Sequence, residues 1–460
     1  MLDEQLQQNP DDAEAARLRA QTLYWMKDLD RARIGYAAAL ERHPADERLR
    51  VEYARMLAET GDRRAAKGLL QALRRSGQAS AEADTLLGTI SYWEGDLTGA
   101  ERLFLEALQK EPAQREAARQ LHEIETASAP WLRLAPTISH DDQPLDRAGV
   151  AIEAGWFLSP LLSLAVRSQP DRYSTETGRT FWSNEVEVSH FAPAARLETL
   201  LAAGVFRRPG DETDFDWTGR AAVGFRIGGG VTVRGRVERA AYLYTVASLA
   251  IPVMTQTATG TLQWTRPAGW LGEAGVQRQR FPDANVVRSA YGWLLAPLVR
   301  GEAGRLQAGY AVAGADADED RFVLARPQQP VPPSDPSFDV AGIYRPYYTP
   351  ARMVTHSVIA AVTAGKTIGP VLRAGGSYGL RAREDATTLQ PVGDQLVATV
   401  GRRSYRPWTI RGSLEIPASA SLVLKLAGEA GRTAFYRWRT VGFEMVYRFL
   451  PDDTGAARIR

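Results

Sequence analysis

The 460-residue chain has no cysteine, which removes disulfides and thiolate chemistry from consideration. It has no apolar run of about eighteen residues, so no helix is expected to cross a membrane. That absence does not exclude a transmembrane barrel, whose strands alternate apolar and polar residues and average to an ordinary hydropathy, here −0.28. The opening Met1-Leu2-Asp3-Glu4-Gln5 has neither a basic n-region nor an apolar h-region and does not read as a secretion signal. There is no phosphate-binding glycine loop, no zinc-ligand spacing and no Gly-x-Ser-x-Gly. The five histidines, His43, His122, His140, His190 and His356, are scattered. Ser189 and His190 adjoin without an evident third member. Catalytic, cofactor and metal residues are therefore all read as none, and no enzyme activity is expected.

Charge is unevenly distributed. Residues 1–129 carry 18 Lys and Arg against 23 Asp and Glu, net −5; residues 130–460 carry 38 against 31, net +7. Lysine nearly vanishes from the second part, where Lys366 and Lys425 are the only two. Its arginines fall singly instead of in clusters, which argues against a nucleic-acid surface.

The first thing present is a period of 34 residues. Ala20, Ala54 and Gly88 share one column; Ala32, Ala66 and Ala100 share another; Tyr36, Leu70 and Phe104 follow. This is the tetratricopeptide pattern. Small residues let paired helices approach, and the larger group fills the gap between units. Lys27-Asp28, Gly61-Asp62 and Gly95-Asp96 supply the turns and the next caps. Three units starting near Ala13, Glu47 and Ala81, with a capping helix over roughly 114–126, make an α-solenoid of residues 1–126. Tyr24-Trp25 and Tyr92-Trp93 are expected to pack between helices, with a ligand-facing role as the alternative.

After a linker at 127–130 the period becomes two. Val223, Phe225 and Ile227 alternate with Gly224 and Arg226. Ile410, Leu414 and Ile416 alternate with Arg411 and Glu415. Val441, Phe443, Met445, Tyr447 and Phe449 alternate with Gly442, Glu444 and Arg448. Such strands build either a soluble sandwich or an outer-membrane barrel. The polar face is Arg, Glu, Gln and Gly of mixed sign, as in a lumen. Tryptophans fall at strand ends (Trp131, Trp182, Trp217, Trp264, Trp270, Trp293, Trp408, Trp438), as in interfacial girdles. Residues 131–450 are therefore read as an antiparallel transmembrane barrel of about sixteen strands, fourteen to eighteen, with 451–460 a tail. Glu185, Glu187, Arg226, Arg234, Arg236, Glu238, Arg373, Arg411, Glu415, Lys425, Glu444 and Arg448 would line its lumen. Glu185 and Glu187 admit a glycosidase reading, but cross-strand ion pairing is the expectation. The segment from Ala313 to Arg345, with Asp316–Asp320 and five prolines, is expected to be a long loop. It is either extracellular or folded inward, with solvation preferred over Ca²⁺ for its acidic run.

Two stretches carry a resemblance. The strand Thr440–Tyr447, with Gly442, Met445 and Tyr447 and then Phe449, resembles the C-terminal signal read by the bacterial barrel-assembly machinery, although Leu450–Arg460 follow it. The segment Tyr344-Arg345-Pro346-Tyr347-Tyr348-Thr349-Pro350 resembles an aromatic-Ser/Thr/Asp-Pro element in the C-terminal barrel of cellulose-synthase C subunits. The order of repeats and then barrel resembles that family and YaiO-type barrels. The resemblance implies an outer-membrane exit pore for an exopolysaccharide, cellulose-like or related. It places the repeats in the periplasm, where they hold scaffold or synthase-complex proteins. The alternative is a non-conducting barrel that anchors a protein-interaction module.

Overall fold

The computed structural model describes residues 2–143, 145–174, 178–209, 215–250, 252–266, 268–301, 303–324, 342–344, 346–365, 369–392, 395–433 and 436–450. The proline-rich part of the expected long loop (Pro327, Pro330, Pro332, Pro333, Pro336), Arg345 and the tail 451–460 lie outside them. The chain divides into two compact units, a helical one ending at Ala129 and a stranded one starting at Pro130.

The helical unit opens with Leu2–Gln8, which the sequence pattern did not announce. Three antiparallel pairs follow: Ala13–Trp25 with Leu29–Arg42, Glu47–Glu59 with Arg63–Arg75, and Ala81–Glu94 with Leu97–Lys110. Arg115–Ala127 closes the stack. Each pair starts on a side-chain cap. Asp12 accepts from the Ala15 amide at 2.9 Å, Asp46 from Leu49 at 3.0 Å and Ser80 from Ala83 at 3.2 Å. Ala20, Ala32, Tyr36, Ala54, Ala66, Leu70, Gly88, Ala100 and Phe104 are all buried. Gly88 is there for Phe104, since a Cβ at Gly88 would lie 2.6 Å from the Phe104 ring. Arg17 is buried between Glu14 and Glu52, and its hydrogen bond holds the Glu14 carboxyl below its usual range. The tryptophans correct the expectation. Tyr24 and Tyr92 pack and bond to Glu59 and Glu123, but Trp25 and Trp93 are 67% and 44% exposed, because they point away from the neighbouring helix.

Beside a two-stranded ribbon, Phe322–Leu324 with Gly342–Tyr344, the stranded unit is one large antiparallel sheet. Its strands run Trp131–Asp141, Leu145–Ser159, Leu162–Ser174, Gly178–Ala192, Leu197–Arg207, Phe215–Gly228, Val231–Tyr242, Val253–Thr265, Leu271–Arg280, Val286–Gly301 and Gly304–Ala317. Met353–Gly365, Val371–Val392, Gln395–Tyr405, Trp408–Pro417, Leu422–Arg432 and Arg437–Arg448 complete it. Gln395–Tyr405 pairs only with the outer half of Val371–Val392 and continues the line of Trp408–Pro417, so sixteen strands close the barrel. Closure is made by Trp131–Asp141, which pairs with both Leu145–Ser159 and Arg437–Arg448. No sheet edge is left unpaired at that seam, as a hydrocarbon environment requires.

One set of alternating residues is apolar and exposed: Ile152, Trp156 and Leu158; Val186 and Val188; Val223, Phe225 and Ile227; Val441, Phe443 and Tyr447. The other set carries the half-buried charges and a cluster of buried rings. The first is the outer wall and the second the lumen. A soluble monomer rarely exposes so continuous an apolar surface. Parity also sorts the tryptophans. Trp182, Trp217 and Trp264 share the outer set, and Trp270 is likewise exposed. Trp131, Trp293 and Trp438 instead share the inner one and do not belong to a girdle. Trp131 donates to Glu153 at 3.3 Å, and Trp293 shares parity with Tyr291, which bonds to Glu273.

The two barrel ends differ. At the end where Trp131 enters, connections are two to five residues long. At the other they include ten residues from Leu243 to Pro252 and thirty-five between Ala317 and Met353. The expected loop starts later than Ala313, because Ala313, Gly314 and Ala315 pair with Thr355, Val354 and Met353.

Candidate functional site

At the end with long connections, two segments turn into the lumen. The first carries the short helix Val246–Ala250, a departure from alternation visible as Val246-Ala247-Ser248-Leu249-Ala250 but not read as an element. Leu249 is buried against Leu145, Tyr173, Phe181, Phe206 and Met254. Four of these side chains belong to the strands two to five places along the barrel from the segment's own hairpin. Arg179 donates to the Leu249 carbonyl at 3.1 Å, and Gln143 to the Tyr244 carbonyl at 3.4 Å. Thr245 Oγ1 donates to the Pro346 carbonyl at 2.6 Å and accepts from the Ser248 amide. The segment thus leans over the lumen and is pinned to the neighbouring sector of the wall and to Pro346.

The second segment is Pro346–Pro350. Tyr347 is 1% exposed. Its ring lies flat on Phe281, with planes 11° apart, and edge-on to Tyr242. Its hydroxyl donates to the Asp283 carboxylate, 2.6 and 2.7 Å from the two oxygens, and Arg321 Nε donates to the same group at 2.8 Å. Burial disfavours the Asp283 charge, but the bonds from Tyr347, Arg321 and the Asn285 amide outweigh it and hold the carboxyl below its usual range. Burial, and then the Asp283 acceptor, push the Tyr347 phenol up to about 12. Tyr348 donates to Glu384 at 2.7 Å. Thr349 donates to Asp320 at 3.0 Å and accepts from the Arg321 amide. The Pro350 carbonyl accepts from Ala317. Each member of Tyr347-Tyr348-Thr349-Pro350 is therefore bonded or stacked against another part of the mouth.

The acidic run is committed to protein partners. Asp316 accepts from the Arg352 amide at 2.8 Å, Asp318 pairs with Arg288, and Asp320 takes Thr349. Solvation alone, the expectation for these carboxylates, is corrected accordingly.

Along the lumen, opposite charges meet across the ladder. Glu185 and Glu187 converge on Arg220 at 3.5 and 2.6 Å, an ion-pair cluster. Arg226 pairs with Glu198, which Arg234 also approaches at 4.0 Å. Arg236 pairs with Glu238 at 2.5 Å and Arg373 with Glu415 at 2.9 Å. Glu444 takes Arg133 at 2.9 Å. Arg411 stands across from Glu429, and Lys425 stands between Glu415 and Glu444 in the ladder. Arg448 faces Trp131. Sequence reading missed Arg133, Glu153, Glu198 and Arg220, all readable by parity from neighbours already assigned. Ser189 bonds to Glu187 at 3.2 Å while His190 points to the other face, so the two form no nucleophile–base pair.

Beside the helix-bearing segment, the lumen holds a cavity of about 470 Å³ reached by Arg147, Arg167, Asp171, Arg220, Tyr244 and Trp438. A larger concavity, about 1340 Å³, lies where Ala221, Gly235, Ala258 and Gly260 keep the wall thin; its apolar lining with Leu201, Val223 and Val276 assigns it to the outer wall.

No family model and no curated protein matches the sequence. Among solved structures, the chain is similar to one described as a bacterial polysaccharide outer membrane secretin. The likeness is at 10% identity, over 70% of this chain and 99% of that one, with a TM-score of 0.50. It is also similar to OpdK of Pseudomonas aeruginosa, solved with vanillate, at 10% identity over 69% and 97% with a TM-score of 0.37. PilW, a type IV pilus biogenesis factor, matches at 22% identity over 26% and 57% with a TM-score of 0.25. The first shows the barrel fold.

Proposed function

We propose that the protein is an outer-membrane barrel that passes a bacterial exopolysaccharide outward through its lumen. Its mouth is held shut at rest by the segment Leu243–Pro252. The observation that carries this reading is the combination of an apolar outer wall, a charged inner wall, and a segment over the lumen held by hydrogen bonds and by the burial of Leu249. Opposite charges paired across and along strands line the path without presenting a ring of one sign, which suits a hydroxyl-rich chain better than a small ion. The solved barrel of similar fold is described as a polysaccharide secretin. In outer-membrane barrels short turns face the periplasm. Because the chain enters the barrel at the short-turn end, the helical repeats belong on the periplasmic side. The terminal strand, with Gly442, Met445, Tyr447 and Phe449, would be what the assembly machinery reads.

Proteoliposomes carrying a variant with Leu243–Pro252 replaced by a short glycine-serine turn should release entrapped fluorescent oligosaccharide faster than wild type. Equal retention by both would overturn the reading.

The non-conducting anchor is favoured by a different observation. Trp25, Met26, Leu29 and Ile34 stand exposed together around the first inter-helix turn, an apolar patch suited to a protein partner. On that reading, Trp25→Ser with Ile34→Ser abolishes function in cells, and the loop-replaced protein shows no conductance in a planar bilayer.

A further inference from the structure

We propose that the 470 Å³ lumenal cavity is a subsite for a carboxylate-bearing sugar residue of the transported chain; this rests on the export reading and adds a ligand class to it.

Arg167 carries the inference. It faces the lumen on the strand Leu162–Ser174, directly across the ladder from Glu185. Glu185 does not pair with it but turns to Arg220 at 3.5 Å. Among the described residues no carboxylate lies within 4.0 Å of Arg167. Its only bonded partner is the Gln169 amide oxygen, and Gln169 passes its own donor to Asp171 at 2.8 Å. Asp171 is already taken by Arg147 at 3.0 and 2.9 Å. The other acids near the cavity are engaged as well, Glu238 by Arg236 and Asp141 by Gln143. A half-buried guanidinium without a counter-charge is costly, and an incoming anion removes that cost.

A second observation points the same way. Arg167 Nε, Arg220 Nε and the Thr218 hydroxyl are enclosed polar atoms without a protein partner, in residues whose other atoms line this cavity. Two are obligate donors and the third can donate, so these residues keep donor capacity that the four lining carboxylates, each already engaged, do not use. Facing them, Tyr436 and Trp438 stand 5.7 Å apart with Tyr244 nearby, an aromatic wall for the C–H face of a pyranose ring. The volume falls in the range of small-ligand pockets, which begins at about 300 Å³.

The test uses the full chain in detergent, titrated with trigalacturonate and with cellotriose while tryptophan fluorescence and calorimetric heat are read. Trigalacturonate should bind saturably, at least tenfold more tightly than cellotriose. Its affinity should fall about tenfold in Arg167→Gln and weaken with added salt. Arg167→Gln strands no carboxylate, so the barrel should keep its heat-modifiable migration, and Trp438→Leu gives an independent loss of binding. Equal affinity for the two sugars, no saturable binding, or unchanged affinity in Arg167→Gln would each overturn the subsite. The loop-replaced Arg167→Gln protein separates the two claims. If it conducts while wild type binds no uronate, the subsite fails and export stands; if no loop-replaced form conducts, export itself fails.

Discussion

Arg133, on the first barrel strand, donates through Nη2 to Glu444, on the last, at 2.9 Å, and through Nη1 to Glu153 at 3.2 Å. The bond ties positions 311 residues apart across the closing seam. Arg133→Met should leave two half-buried carboxylates facing each other and destabilise the barrel by about 1–3 kcal/mol, limited by Lys425 opposite Glu444. Heat-modifiable gel migration should shift to lower temperature, and Glu444→Gln in the same chain should restore part of it.

Tyr347 and Asp283 hold the second inward segment. Tyr347→Phe keeps the stack on Phe281 but loses the bond to a charged acceptor, a cost of about 1.5–3 kcal/mol. Planar-bilayer recordings should show more frequent openings than wild type. Asp283→Asn should resemble it.

The same pair sets a pH window. The Asp283 carboxyl sits below its ordinary value of 3.8, so its contribution is present above that value and is lost as pH falls through the depressed one. The Tyr347 phenol is raised from 10.0 to about 12, so its contribution is complete below 10 and is lost as pH rises toward 12. Opening frequency should therefore be flat from about pH 5 to 9 and rise outside it, and the alkaline rise should be absent in Tyr347→Phe.

In the repeats, Gly88→Ala places a methyl carbon 2.6 Å from the Phe104 ring. Overpacking of this kind costs about 1–3 kcal/mol. The helical transition followed by circular dichroism at 222 nm should move to lower temperature without a change in barrel migration, and Phe104→Leu in the same chain should recover part of the loss.

The repeats were legible because Ala32, Ala66 and Ala100 answer one packing demand at a fixed spacing, and a fixed spacing survives in one dimension. The lumenal face was legible because Glu444 and Arg448 share a parity opposed to Phe443 and Tyr447. Tryptophan suits an interfacial girdle by type, and that expectation overrode the parity that Trp438 shares with Glu444 and Trp131 with Arg133, both on the inner face. The tie between Tyr347 and Asp283 spans 64 residues and leaves no local trace. The helix Val246–Ala250 is too short to show a period, and its docking depends on Phe181 and Phe206, which read as ordinary strand residues.

On this reading, a continuous lumen is stopped at its mouth by Leu243–Pro252, with Pro346–Pro350 bonded to it through Thr245. Single-channel conductance of the full chain in a planar bilayer, with and without replacement of Leu243–Pro252 by a glycine-serine turn, tests this most directly. A mostly closed wild type and a steadily open variant are predicted. A variant as silent as wild type would contradict the account.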